Sequence, residues 1–184
     1  MNYKFPHTIE NCIGERITFK TLERSPDGDA VIVESLCQPG SGPIMHTHFK
    51  QEEIITVVSG TMGYQVKGQK PAFVRPGESV EFKRGVPHRF WAEGNEVLRL
   101  AGKIKPANTI VFYLSSIYAA QNKSGTARPE QFDGAYLLTR YASEYEIADM
   151  PVFVKKVVVP ITYLVGKALG KYKHFKDAPK PLTD

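Results

Sequence analysis

The chain has little cysteine: Cys12 and Cys37 are its only two in 184 residues, and they form no CxxC pair. That is too few for a disulfide framework and fits a reducing compartment, with both thiols free and mostly buried. No run of about eighteen uncharged apolar residues occurs, so no membrane-spanning helix is expected. The opening MNYKFPHTIENC lacks an apolar core behind a basic start, which argues against a secretory signal and makes the cytoplasm the expected location. Internal repeats and low-complexity tracts are missing too. Acidic residues are scarce in one place only. Residues 151 to 184 carry seven lysines against Asp177 and Asp184, while residues 1 to 150 balance at seventeen basic and seventeen acidic. The surplus of positive charge therefore belongs to the tail and not to a folded face, and with no recognised nucleic-acid motif present, nucleic-acid binding is not expected.

What is present is a core-sized apolar fraction, 42% against 23% charged residues, enough for one principal domain with an appendage. Eight strand-like runs follow one another from about residue 15 to 105: RITFKTLE, AVIVESLC, EIITVVS, TMGYQV, PAFVRP, SVEF, HRFWA and EVLRLAGKI. Turn-forming stretches such as SPDGD, QPGSGP and RPGE separate them, a spacing that suggests a mainly β sandwich or barrel and not alternating βαβ units. After Pro106 the texture turns helical. Asn108 is a candidate cap for TIVFYLSSIYAAQ, and EQFDGAYLLTRYASEY is a second helical run. A third helix is expected from Asp149 and Pro151 to about Lys171, kinked by Pro160, with Phe153, Val157, Ile161, Leu164 and Val165 on one side and Lys155, Lys156, Lys167 and Lys171 opposite. The β-branched run VFVKKVVVP leaves a strand as the alternative there.

The densest chemistry lies in HTHFKQEE, residues 46 to 53. His46 and His48 alternate and so share one face of a strand. Glu53 follows, and GVPH places His88 at the start of a later strand. Three imidazoles and a carboxylate suit a divalent transition ion such as Fe, Mn, Ni, Co or Zn, since calcium or magnesium would demand more oxygens. Four protein ligands on an ion preferring six leave positions open. Glu52 is read as a solvent-facing neighbour, and His7 and His174 as ordinary surface residues.

The spacing resembles the cupin family. Its first motif, glycine, five residues, HxH, three or four residues, Glu, six residues, glycine, is matched by GSGPIMHTHFKQEEIITVVSG from Gly40 to Gly60, and the six-residue gap to Gly60 selects Glu53 over Glu52. Its second motif is matched by GESVEFKRGVPHRFWA from Gly77 to Ala92, with Lys83 where proline is usual and Ala92 where asparagine is usual. Neither position is a metal ligand in the family. The resemblance implies a jelly-roll (double-stranded β-helix) barrel over residues 1–106, with C-terminal α-helices over 107–184 and a metal held inside by His46, His48, Glu53 and His88. A looser likeness, in IENCIGERITF and LVGKALGKYKHF, is to single-barrel bacterial proteins with helical tails, and it supplies no activity.

Strand alternation puts Ile55 and Val57 inside the barrel, with Phe90 in the pocket and Trp91 outside, so Ile55, Val57 and Phe90 are expected to give the pocket an apolar lining. Apolar Ile54 and Val58 on the opposite face, together with Trp91, point to a cover of helices or a partner subunit, and a homodimer is expected. The basic amphipathic tail fits contact with the barrel or a partner better than attachment to a membrane surface. Arg99 and Lys103 fall outside the barrel, which counts against a sugar-phosphate isomerase. Two function classes stay open. One is an oxygen-dependent, dioxygenase-like enzyme acting on a small apolar enol or phenol-like molecule, with Glu53 as a catalytic base. The other is a non-catalytic small-ligand-binding or sensor module.

Overall fold

The computed structural model describes residues 3–183. Two antiparallel sheets face each other and form the expected jelly roll. The strands are β1 (His7–Glu10), β2 (Glu15–Glu23), β3 (Ala30–Cys37), β4 (His46–His48), β5 (Glu52–Ser59), β6 (Thr61–Val66), β7 (Ala72–Val74), β8 (Ser79–Phe82), β9 (His88–Glu93) and β10 (Leu98–Lys105). Helices α1 (Ile110–Ser124) and α2 (Gln131–Arg140) precede a last strand, β11 (Tyr145–Ile147), and helix α3 (Val159–Ala168). One sheet has the order β1-β2-β3-β10-β5-β8 and the other β11-β4-β9-β6-β7. Each of the eight strand-like runs forms a strand. The turn between β5 and β6 needs Gly60, whose φ is +81° and whose missing side chain would lie 2.9 Å from the Val97 carbonyl.

Alternation along β5 sorts its side chains as expected, with Ile55 and Val57 buried and Ile54 and Val58 exposed. Nothing among the described residues covers the outer pair, with Ile54 43% and Val58 57% exposed. Trp91 is half-buried against its own sheet: its ring lies over Gly63, where any side chain would collide with it, its Nε1 donates to Glu93, and the Arg89 guanidinium sits 5.3 Å from the ring centre. Of the two thiols only Cys37 is buried, and Cys12 is exposed.

The helices share a core with the first sheet. Phe19, Val31, Val33 and Ile104 from the strands pack with Ile110, Phe112, Leu137 and Tyr141. Helix α1 starts after Thr109 and not after Asn108, and the Thr109 hydroxyl does not cap it because that hydroxyl donates to Glu144 instead. Helix α2 is capped by the Glu130 carboxylate, which accepts from the backbone N–H groups of Phe132 and Asp133. The second helical run is shorter than expected. It stops at Arg140, and Tyr145–Ile147 turns into strand β11 along the open edge of β4, pairing Tyr145 with His48 and Ile147 with His46.

The third helix begins with a wide π turn, Val154–Val158, and continues as α3. Asp149 does not cap it but pairs with Lys67 at 3.1 Å. The wide turn leads directly into Pro160, whose ring and missing N–H a regular helix would not accommodate without a kink. The apolar side of this helix does not lie on the barrel: Ile161 is 56% and Leu164 62% exposed. Contact with the rest of the chain comes instead from Tyr163 and Gly166, against Tyr136, Tyr172 and Phe132.

The C-terminal segment is tied to the histidine corner through Glu144, which has no exposure to solvent. Its carboxylate accepts from Gln51 Nε2 at 2.9 Å, Thr109 Oγ1 at 2.9 Å, the Leu182 N–H at 3.0 Å and the Tyr145 hydroxyl at 3.4 Å. Its backbone carbonyl accepts from Phe49 N–H at 2.8 Å. Replacing Glu144 by Ala strands the buried donors of Gln51, Thr109 and Tyr145 and releases the Leu182 N–H, so denaturant unfolding should show a loss of about 3 kcal/mol. A variant within about 0.5 kcal/mol of wild type, the range of an ordinary surface substitution, would contradict this role.

Candidate metal centre

The four residues singled out in the sequence converge between the sheets. His46 and His48 come from β4, and His88 from the neighbouring β9, where His46 and His88 are directly paired. Glu53 comes from β5 in the opposite sheet. One ligand atom from each of His46, His48 and Glu53 falls within 4.8 Å of the others. His88 stands against the same carboxylate, with Nε2 3.4 Å from Glu53 Oε2, and its ring centre is 4.5 Å from that of His46. Glu52, on the other face of β5, pairs with Arg84 at the surface.

Backbone carbonyls orient two of the rings. His46 Nδ1 is 2.8 Å from the Ile44 carbonyl and His88 Nδ1 is 2.9 Å from the Val86 carbonyl. A carbonyl only accepts, so Nδ1 carries the proton in each and Nε2 keeps its lone pair, the tautomer a metal ligand needs. Phe82 lies flat against His88, with ring centres 4.0 Å apart and planes within 6°, and the rings of Tyr145 and His48 meet nearly at right angles with centres 5.7 Å apart. Phe82 and Tyr145 thus position two of the imidazoles. Strand alternation could have suggested Phe82, paired with Glu53 across the ladder. Nothing in the linear sequence marks Tyr145.

Burial governs the electrostatics. Desolvation pushes His46 down to about 3 and His48 down to about 4, with the neighbouring His88 lowering both further. Burial pushes the Glu53 carboxyl up, but its contact with His88 and the surrounding imidazoles outweigh this and hold it below the ordinary range. With His46 and His48 neutral, Glu53 is a buried carboxylate facing imidazole nitrogens: His88 Nε2 stands 3.4 Å from its Oε2, and His48 Nδ1 is buried with no partner among the described residues. The donor set fits a divalent cation shared by the four side chains, which would supply a positive charge beside the buried carboxylate.

His46, His48 and Glu53 open onto a cavity walled by Phe90, Ile13, Ile17, Ile44, Leu114 and Ile117. Phe90 is where alternation places it, but Ile55 and Val57 are not wall residues: they pack with Met62, Val74, Phe82 and Leu98 in a separate core. Helix α1 supplies much of the wall in their place. Away from the histidines the cavity meets Glu15, Tyr118 and Gln121. Burial raises the Glu15 carboxyl, with Asn11 and Tyr118 hydrogen-bonded to it. Cys37, also at the wall, is pushed up to about 12 by burial and by the charge of Glu15, which makes it inert as a nucleophile.

Residues 27–102 match the Cupin_2 family, described as the cupin domain. The match lies within the barrel and does not extend to the helices. Among similar solved structures, KdgF from a Halomonas species is 18% identical over 53% of this chain and 85% of its own, with a TM-score of 0.45. A conserved double-stranded β-helix protein of Klebsiella pneumoniae is 22% identical over 48% and 76%, at 0.42. A cupin-like protein of Thermotoga maritima is 22% identical over 54% and 73%, at 0.43. No curated protein matches the chain. The candidate site is continuous with the helical extension, since β11 and α1 both reach it.

Because His46 and His48 have lowered folded-state values, the unfolded chain binds more protons than the folded one below about 6.5. Their contribution is complete above about pH 6.5 and is lost as the pH falls toward the folded values. For chelator-treated protein the expected loss is about 1.4 kcal/mol per pH unit for each imidazole. Unfolding midpoints between pH 6.5 and 4.5 test this: His46→Asn and His48→Asn should each flatten the slope. Unchanged slopes in both would refute the assignment.

Proposed function

We propose that this cupin holds a divalent transition ion with His46, His48, Glu53 and His88, and acts as a dioxygenase-like enzyme on a small apolar molecule bearing an enol or phenol-like oxygen. The observation that carries the reading is the buried cluster of neutral imidazoles and one carboxylate at the end of an apolar cavity. A bound ion would polarise the substrate oxygen and leave a position for dioxygen.

The chain's own part is to bind, orient and exclude water. Phe90, Ile44, Leu114 and Ile117 take the apolar body of the substrate, so its polar end turns toward His46, His48 and Glu53. Glu53 is the carboxylate of this cluster and is the base assigned to the enol proton. Arg99 and Lys103 do not enter the cavity, and Lys103 pairs with Glu23 outside the barrel at 2.8 Å, so an anionic sugar phosphate would find no counter-charge from them. The protein acts as a homodimer in this reading, with Ile54 and Val58 on the outer face of β5 as the apolar contact.

Protein purified without chelator should hold one equivalent of a transition ion, and chelation should lower the unfolding midpoint by roughly 5–10 °C, the effect of about 3 kcal/mol of lost binding on a chain of this size. His46→Ala with His88→Ala should abolish the ion, and a stoichiometric ion retained in that double variant would disprove the ligand set. Oxygen uptake with flavonols, thiols and diketones then tests the chemistry. Turnover is expected with an enol or phenol-like compound, and Glu53→Gln should lower it about 100-fold. Tight binding without oxygen uptake, whatever the metal, would instead identify a ligand-binding module.

A further inference from the structure

Helix α3 and the π turn before it turn their widest apolar face away from the molecule. Phe153 is 67% exposed and Leu169 61%, and Val157, Ile161, Leu164 and Val165 between them are all open to solvent. At helical spacing these positions fall on one continuous stripe about four turns long. Such a stripe is unusual on the surface of a chain that satisfies its own core.

The stripe cannot be reburied by rolling the helix over. Its opposite side is held at Gly166, where any side chain would collide with the Tyr172 ring, and Tyr163 stacks on Tyr172 with ring centres 5.3 Å apart. The Tyr172 hydroxyl donates to the Tyr163 carbonyl at 3.2 Å. The apolar side is displayed by a fixed contact, not left loose.

Charge identifies what it meets. Between Asp149 and Asp177 there is no carboxylate, while Lys155, Lys156, Lys167, Lys171, Lys173 and Lys176 all lie in that stretch. Lys156 and Lys167 are exposed on the same helical segment, and of these lysines only Lys155 has an acidic partner, Glu146, among the described residues. A two-fold pairing of copies on this face would bring two such lysine rims together with no acid on the stretch to answer them. An anionic surface answers all of them. We propose that α3 docks the protein on an anionic lipid bilayer, lying in the plane of the interface with Phe153, Ile161, Leu164 and Leu169 among the acyl chains and the lysines at the headgroups. No helix among the described residues is long and apolar enough to cross the membrane, so the contact is peripheral.

Flotation of the full-length protein with vesicles tests this. With phosphatidylcholine vesicles containing roughly a third phosphatidylglycerol, partitioning should be at least about tenfold stronger than with phosphatidylcholine alone, and should weaken as salt rises to about 0.5 M. Ile161→Glu with Leu164→Glu, and separately Lys156→Glu with Lys167→Glu, should each lower partitioning at least about tenfold while the unfolding midpoint holds, because all four side chains are exposed. The proposal falls if wild-type protein stays off anionic vesicles. It falls equally if the Ile161→Glu, Leu164→Glu variant converts a sedimenting dimer to monomer while neither protein binds lipid, which would make the stripe an interface between copies.

Discussion

The candidate site depends on a carboxylate that never meets water. Glu144 lies between the histidine corner and everything after residue 106, and its two oxygens answer donors from Gln51, Thr109, Tyr145 and Leu182. Burying a carboxylate costs several kcal/mol unless donors surround it, so these four segments must assemble together or not at all. The consequence for the site is direct. Gln51 sits between the candidate ligand pair His46 and His48 and the candidate ligand Glu53, and Tyr145 both donates to Glu144 and supports His48. Holding Glu144 in place therefore holds the corner on which three of the four candidate ligands turn.

This arrangement explains which parts could be read from the chain. The jelly roll was legible because each strand obeys a local rule: alternating residues face the core and glycine or proline stretches turn the chain. The four candidate ligands were legible because two are alternate residues on one strand and the others sit at fixed distances from motif glycines. Alternation also separated Glu53 from Glu52, and the structure sends the first inward and the second to Arg84.

What escaped prediction depends on contacts far apart in sequence. Tyr145 pairs with His48 after nearly a hundred intervening residues. The helical pattern of EQFDGAYLLTRYASEY continues to Tyr145, but the open edge of β4 offers unpaired backbone groups, and pairing them outweighs the helical preference of the last few residues. The cavity wall was misassigned for a similar reason. Inward-facing residues of β5 were expected to line it, yet a jelly roll has two ends of interior: Ile55 and Val57 fill the closed one, and α1 lies across the open one with Leu114 and Ile117.

The same separation accounts for α3. An apolar stripe opposite lysines reads identically in sequence whether the stripe is covered or displayed, because periodicity records that two faces differ and not which one is turned inward. That choice falls to Gly166 and its aromatic neighbours. Tyr136, Tyr163, Tyr172 and Phe175 form one stacked group, and Phe175 is buried against the main core. With the narrow side of the helix engaged there, the broad apolar side has only one direction left to face. The cavity and the stripe are thus consequences of one construction: helices pinned to the barrel through aromatic contacts close one apolar surface over the candidate metal site and leave another open outside.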